Sequence, residues 1–445
     1  MPLRERLVLL DRQLQLCTKA IEKKYPGYFS AMYGQTLNPL PDVQAMAREE
    51  GRVVLEYFWG SEWVYGMSIS SDTIVFERIG RTEVIRADID KLLVHLHDEH
   101  ASVSPVVFQN FVTSAHTLYK VLVEPFESLF GSASLQIIPD GNINLVPFDI
   151  LVKRLPDKPV VDYRSLEYLL KARATGYAYS TAMLRKVNRR KVSHPSLLAV
   201  GFTGGQRERA ADDEMMALQE IEGAERELEA LSARFQNGRF LRDKEATESN
   251  FKSLSPQYDI IHLAIHGRGD RSSNFSASLF FRSVYDTIDD GIFHAYELYG
   301  LKLKALMAVL SACESGIGRD YRGEGMISMA SAFTSAGCEN TLMSLWKVND
   351  QASIALMDNF YQQLLTGMPI DEALRKAKLD YLALADELTA DPKTWAPLVA
   401  YGSLHQVFET DYGRLPLILV LAFVVLVMGV GVFYARKRGR YRLGG

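Results

Sequence analysis

Cysteine is almost missing from this chain. Its 445 residues hold three: Cys17, Cys313 and Cys338. Three scattered thiols make no disulfide framework, which excludes a stapled secreted scaffold and suits a reducing compartment. An excess of basic charge is missing too: 50 Lys and Arg stand against 54 Asp and Glu, a formal net charge of −4. Five of the basic residues, Arg436, Lys437, Arg438, Arg440 and Arg442, crowd the tail, so the chain before them lies five charges lower, near −9. Such a body has no basic stripe with which to hold nucleic acid. A secretory leader is not expected, because the apolar run Leu7 to Leu10 is broken by Asp11 and no small-residue cleavage site follows. Metal spacing is lacking as well. His95, His97 and His100 fall on a helical stretch where i and i+2 point in nearly opposite directions, so they read as solvated or flanking residues. Neither a metal nor a cofactor is expected.

What is present is an apolar share of 47%, in a chain long enough for one large α/β unit with appendages or for two to three domains. The stretch Leu306 to Gly318, LMAVLSACESGIG, organises it. A short apolar run ended by a glycine-rich turn reads as a buried strand whose C-terminal end delivers one side chain, here the Cys313 thiol, to the crevice beyond the sheet. A thiol needs a base. Tyr258 to Gly267, YDIIHLAIHG, reads as a second apolar strand ending in His266-Gly267. Neighbouring parallel strands would set His266 beside Cys313 at one edge. Their separation of 47 residues is close to the roughly 50 of the caspase His-to-Cys spacing. Without a side chain, Gly267 lets its N–H approach a substrate carbonyl as an oxyanion donor, and the N–H of Cys313 is the natural second donor. Each residue also has a plainer reading: Cys313 as a small buried hydrophobe, His266 as a satisfied core histidine. A zinc reading of His262, His266 and Cys313 lacks a fourth ligand at any usual spacing.

Three segments, Ile261 to Gly267, Leu310 to Gly316 (LSACESG) and Ser344 to Asp350 (SLWKVND), resemble the CHAT domain, a branch of the caspase-like cysteine peptidases that includes separases. Supporting segments follow in family order: Ile138 to Gly141 with Leu145 to Phe148, Ala246-Thr247, Asp371 to Ala377 and Trp395 to Gly402. The resemblance spans roughly Gly51 to Phe408. Cys338 departs from it, standing where a small apolar residue is usual, and the helical repeats that often precede the domain are nearly absent. The resemblance implies an α/β fold, a caspase-like α/β/α sandwich with a mostly parallel central sheet and a preceding α/β lobe. It also implies a cysteine endopeptidase with a His266–Cys313 dyad.

Taken in order, residues 1–50 form a helical segment, with Leu3, Leu7, Leu10 and Leu14 at helical spacing over Arg4 to Lys24. Residues 51–190 make the N-terminal lobe. It has an antiparallel meander over Val53 to Trp59, Trp63 to Ile69 and Thr73 to Ile79, then helices over Ala87 to His100 and Val106 to Phe130. Leu135 to Pro139 and Ile143 to Phe148 read as a hairpin through Asp140-Gly141. Residues 191–408 make the catalytic lobe. Strands at Leu197 to Gly201, Ser278 to Val284 and Thr341 to Trp346 alternate there with helices at Glu220 to Phe235, Glu324 to Ala336, Asp350 to Leu365 and Pro369 to Glu387. Leu398 to Gly402 closes the sheet, and the alternation implies parallel strands. Thr247 reads as a helix N-cap.

Leu415 to Tyr434 carries no charged residue, and some 20 residues at 1.5 Å each cross a hydrocarbon core of roughly 30 Å. One C-terminal transmembrane helix, 415–434, is therefore expected, followed by a basic tail, 435–445. The basic tail alone favours a cytoplasmic end. The lack of an export signal and the cysteine usage favour a tail anchor with the catalytic body cytosolic. Two functions compete: a membrane-anchored endopeptidase cutting one specific protein in signalling, defence or cell death, a pore-forming effector being one target, and a non-catalytic scaffold that recruits partners. Asp350 likewise keeps two readings. It caps the helix that starts there, or, as in the similar stretch of separases, it receives a basic P1 side chain.

Overall fold

The computed structural model describes residues 12, 16, 19, 20, 23, 39–97, 104–157, 160–185, 190–202, 222–268, 277–283, 289–311, 319–321, 325–327, 329–346 and 350–409. The five isolated residues before 39 are helical, in line with the expected N-terminal helix, whose other residues lie outside this set. So do His100 and the whole of 415–434. Among the described residues no helix is long and apolar enough to cross a membrane.

The meander forms as its alternation dictates. Strands β1 (Arg52–Trp59), β2 (Trp63–Ile69) and β3 (Ile74–Arg81) pair antiparallel in sequence. Val53, Leu55, Tyr57 and Trp59, at period two, all face the main core. Two strands then join β1 in parallel: β4 (Ser134–Ile138) on β1, and β5 (Thr175–Tyr177) on β4. The second half adds β6 (Leu197–Gly201), β7 (Gly238–Arg242), β8 (Ile260–Ala264), β9 (His266–Arg268), β10 (Ser278–Phe280) and β11 (Ile292–His294). It ends with β12 (Met307–Leu310), β13 (Arg319–Tyr321), β14 (Gly325–Ile327), β15 (Asn340–Ser344) and β16 (Leu398–Gly402). One 11-stranded sheet runs through both halves in the order β3-β2-β1-β4-β5-β16-β15-β12-β8-β6-β7. Only β1–β2, β2–β3 and β15–β16 are antiparallel, so the sheet is mostly parallel. In β6, β8, β12 and β15 every residue is buried, which requires cover on both faces because successive side chains point to opposite sides.

Helices of seven or more residues provide that cover: α1 (Leu40–Glu50), α2 (Thr82–His97), α3 (Pro105–Leu122), α4 (Glu222–Arg234), α5 (Glu248–Leu254), α6 (Met329–Ser335), α7 (Asp350–Leu365) and α8 (Ile370–Leu384). In α2 the stripe Ile85, Ile89, Leu92 and Leu96 is buried at helical spacing. Thr247 caps α5 as expected, its side chain accepting from the Asn250 N–H at 3.2 Å.

Four expectations are corrected. The 135–148 hairpin does not form. The Asp140 carboxylate accepts from the N–H of Gly141 at 2.9 Å and of Trp59 at 2.7 Å, and the chain turns into a short 3-10 helix, Gly141–Leu145. Gly141 adopts φ +58° with Trp59 Cγ only 2.3 Å from where a Cβ would sit, so no other residue fits that turn. The segment read as one helix from Glu324 includes strand β14, paired with β13, and α6 begins only at Met329, since Gly325 is a poor helix former. β16 neither ends the sheet nor runs parallel to β15. The helices α7 and α8, joined by four residues, return the chain to the edge it left, so the next strand must run the other way. β16 then pairs in parallel with β5 and fuses the two halves. Finally, His95 is not solvated. It is buried, with Nε2 3.0 Å from the Asp391 carboxylate, while His97, pointing nearly the opposite way, is exposed.

Candidate active site

Strands β8 and β12 are parallel neighbours inside the second half of the sheet, with Leu263 opposite Leu310. His266 lies three residues beyond Leu263, and Cys313 lies three residues beyond Leu310 in the sequence. The ladder continues one step past β12, where the Ser311 N–H donates to the Leu263 carbonyl at 3.0 Å. Cys313 itself lies outside the described residues. His266 is half-buried and opens β9, opposite Phe280 of β10; Gly267 is opposite Leu279. Both residues are thus held by a small antiparallel sheet, β11-β10-β9, built from the segment between the two strands.

Asp350 is the first residue of α7, which follows β15, the neighbour of β12 on the side away from β8. Its side chain lies outside the described set. Nearby, Trp346 is buried and its indole N–H donates to the Lys393 carbonyl at 2.8 Å.

His262 is fully buried, four residues before His266 on β8. Its Nδ1 lies 3.1 Å from the Tyr361 hydroxyl and its Nε2 3.2 Å from the Glu227 carboxylate. It is engaged inside the protein and is not turned out beside His266. Among the described residues no group of three or more His, Cys, Asp and Glu is placed to hold a metal ion. Cys338 is buried, with Sγ 3.1 Å from the Asn340 carbonyl, and burial pushes its thiol up to about 12. A thiol held protonated in this way is no nucleophile at neutral pH.

The residues that sequence reasoning missed are Glu227 of α4 and Ser311. The Ser311 hydroxyl donates to Glu227 Oε2 at 3.0 Å and lies 3.2 Å from the Ser353 hydroxyl of α7. One signal was available. In α4 the buried positions Ala224, Leu228 and Leu231 mark an apolar stripe, and Glu227 sits within it. A carboxylate on the core-facing side of a helix must be answered by a buried partner.

A curated relative, Tetratricopeptide repeat protein 28 of Mus musculus, is 29% identical over 109 residues. The match covers 24% of this chain and 4% of that protein. Its Homo sapiens counterpart is 28% identical over 109 residues, with the same coverage of 24% and 4%. The chain therefore spans a small fraction of these relatives. The Saccharomyces cerevisiae separase in the separase–securin crystal structure superposes with a TM-score of 0.52 at 9% identity, over 83% of this chain and 31% of that one. At that identity the likeness is one of fold. The CHAT domain family description matches residues 112–403, more than half the chain, from within helix α3 to the residue after β16. The chain belongs to the CHAT domain family.

Proposed function

We propose that this protein is a caspase-like cysteine endopeptidase with His266 and Cys313 as its dyad, tethered to a membrane by residues 415–434. The single observation that carries the reading is the register of β8 on β12, which gives His266 and Cys313 the same three-residue offset beyond a matched pair, on adjacent parallel strands. The Cys313 sulfur, as thiolate, attacks the scissile carbonyl carbon. His266 holds the thiol proton and hands it to the leaving amine as the C–N bond breaks. Water then hydrolyses the thioester, restoring the thiol. The N–H groups of Gly267 and Cys313 are the proposed oxyanion donors. Asp350, at the start of the helix beyond the next strand, is the residue that would select a basic P1 side chain. The charge-free stretch before a basic tail supports a tail anchor, and the cysteine usage supports a cytosolic body.

The test compares new protein N-termini in cells expressing wild-type and Cys313→Ala protein. A cut that appears only with wild type is expected. Identical N-termini together with an undiminished biological output would leave a scaffold instead. For the tether, deletion of 415–445 is expected to move the protein from carbonate-washed membranes to the soluble fraction, and full retention would remove the anchor from the proposal.

A further inference from the structure

The buried polar contacts beneath the strand ends have no part in the chemistry just described, yet they join the elements that carry it. Glu227 on α4 is buried; one carboxylate oxygen accepts the Ser311 hydroxyl at 3.0 Å, the other lies 3.2 Å from His262 Nε2. Ser311 is two residues before Cys313, and His262 is four before His266. From the helix packed beside α4, Ser353 reaches Ser311 at 3.2 Å and Tyr361 reaches His262 at 3.1 Å. The Glu227 oxygen and the His262 nitrogen that face each other have no other hydrogen-bond partner and are not aligned for a bond to one another. A carboxylate in such a place is costly, because it is removed from water and has to be met by other groups. An apolar residue would fill the stripe of α4 without that cost. The geometric consequence of Glu227 is to bring the residue just past β12, through the Ser311 hydrogen bond, and the middle of β8, through its approach to His262, to a single point.

The geometry points to Glu227 as a positioning residue that fixes the Cys313 strand end relative to the His266 strand end, through Ser311 and His262. This inference rests on the dyad reading. A thiol close to an imidazole ionises below the free-thiol value of about 8.5, because the imidazolium favours the thiolate. Loosening either strand end weakens that pairing and returns the thiol toward its free value. The number read is therefore the midpoint of Cys313 ionisation, which mere loss of stability does not move.

The experiment measures the rate of Cys313 alkylation by iodoacetamide against pH, peptide by peptide, in the full chain, with buried Cys338 as the internal unreactive control. Wild type, Glu227→Ala, Glu227→Gln, Ser311→Ala and His266→Ala are compared at a temperature where each is folded. Wild type is expected to have a midpoint well below about 8.5, and His266→Ala a midpoint near that value. Glu227→Ala and Ser311→Ala are expected to rise by at least about one unit, a tenfold loss of thiolate at lower pH. Glu227→Gln is expected to stay near wild type, because its amide oxygen still accepts the Ser311 hydroxyl. Should Glu227→Ala fail to fold, Ser311→Ala decides, since it removes only a hydroxyl. A depressed wild-type midpoint that Ser311→Ala leaves unchanged overturns the role of Glu227 and keeps the dyad. A wild-type midpoint already near 8.5 overturns both.

Discussion

At the scale of single residues, charge is handled by burial. Lys252 is surrounded by three carboxylates: Glu248, and at 2.8 and 2.7 Å those of Asp289 and Glu297. One ammonium cannot balance three buried or half-buried anions. Burial first, and then repulsion from Glu297, push the Glu248 carboxyl up to about 7, while the carboxylates around Lys252 raise its own pKa, so a proton stays on the cluster near neutrality. Glu248 also accepts the Gly291 N–H at 3.1 Å, so the cluster pins the segment that leads into β11, part of the small sheet carrying His266. The sign follows. A carboxyl raised in the folded state above its ordinary 4.5 contributes stability that is complete below about pH 4.5 and disappears as pH rises through about 7. Glu56 and Glu339, both raised by burial, push the same way. The urea midpoint is therefore expected to fall between pH 5 and pH 8, and Glu248→Gln to flatten that slope. A wild-type midpoint rising across this range would refute the account. Residues of this kind are hard to read from a sequence. The strand leading to His266 was legible because an apolar run closed by His266-Gly267 marks its own end. Glu227 and His95 were not, because a charged or imidazole side chain on a helix is placed in solvent unless its buried partner, here Ser311 or Asp391, is already known.

At the scale of elements, strands and helices followed from periodicity, whereas direction and pairing followed from how neighbouring elements return the chain. Nothing in Leu398 to Gly402 says that it runs antiparallel to β15; that follows from the α7–α8 pair before it. Likewise the apolar alternation of Ile143 to Phe148 resembles a strand, but β4 already has β1 on one side and β5 on the other, leaving no edge for it. The join at β16 has its own lock. Asn340, opposite Gly402, donates to the Leu306 carbonyl at 2.9 Å and accepts the Leu404 N–H at 2.8 Å, tying β15 to the approach of β12 and to the chain leaving β16. Gly402 has φ +131°, and a Cβ there would lie 2.5 Å from both the Asn340 side-chain oxygen and the Glu339 carbonyl. Backbone cannot move aside as a side chain can. Gly402→Ala is therefore expected to destabilise by at least about 1–3 kcal/mol, the usual cost of a forced conformation, visible as a lower urea midpoint. A midpoint equal to wild type would mean that this crossing is looser than its geometry implies.

At the scale of the whole molecule, the two lobes read from the sequence share one sheet and several buried charges. β5, from before residue 190, and β16, from after it, are paired neighbours. Arg52 of β1 binds Asp371 of α8 through two bonds of 2.7 and 3.0 Å, both side chains buried. Lys378, fully buried on the same helix, reaches Asp149 at 2.6 Å and the Leu398 carbonyl at 2.6 Å. Arg375 donates to the Leu170 carbonyl at 2.7 Å. Such pairs add little net stability when intact, but removing one partner strands the other charge in an apolar interior at about 3–5 kcal/mol each. A cut at residue 190 would strand Asp371 and Lys378 together and open the β16 edge. Two such losses are comparable with the roughly 5–15 kcal/mol that holds a whole domain folded. Residues 191–409 expressed alone are therefore expected not to fold, whereas 39–409 should unfold in one cooperative transition that near-ultraviolet circular dichroism and tryptophan fluorescence report at the same midpoint. Co-expression with 39–190 should restore the fragment, since the sheet would then be complete. A sharp, independent transition in isolated 191–409 would mean that the lobe carrying His266 and Cys313 is stable without its neighbour, and that the shared sheet is an attachment and not a condition of folding.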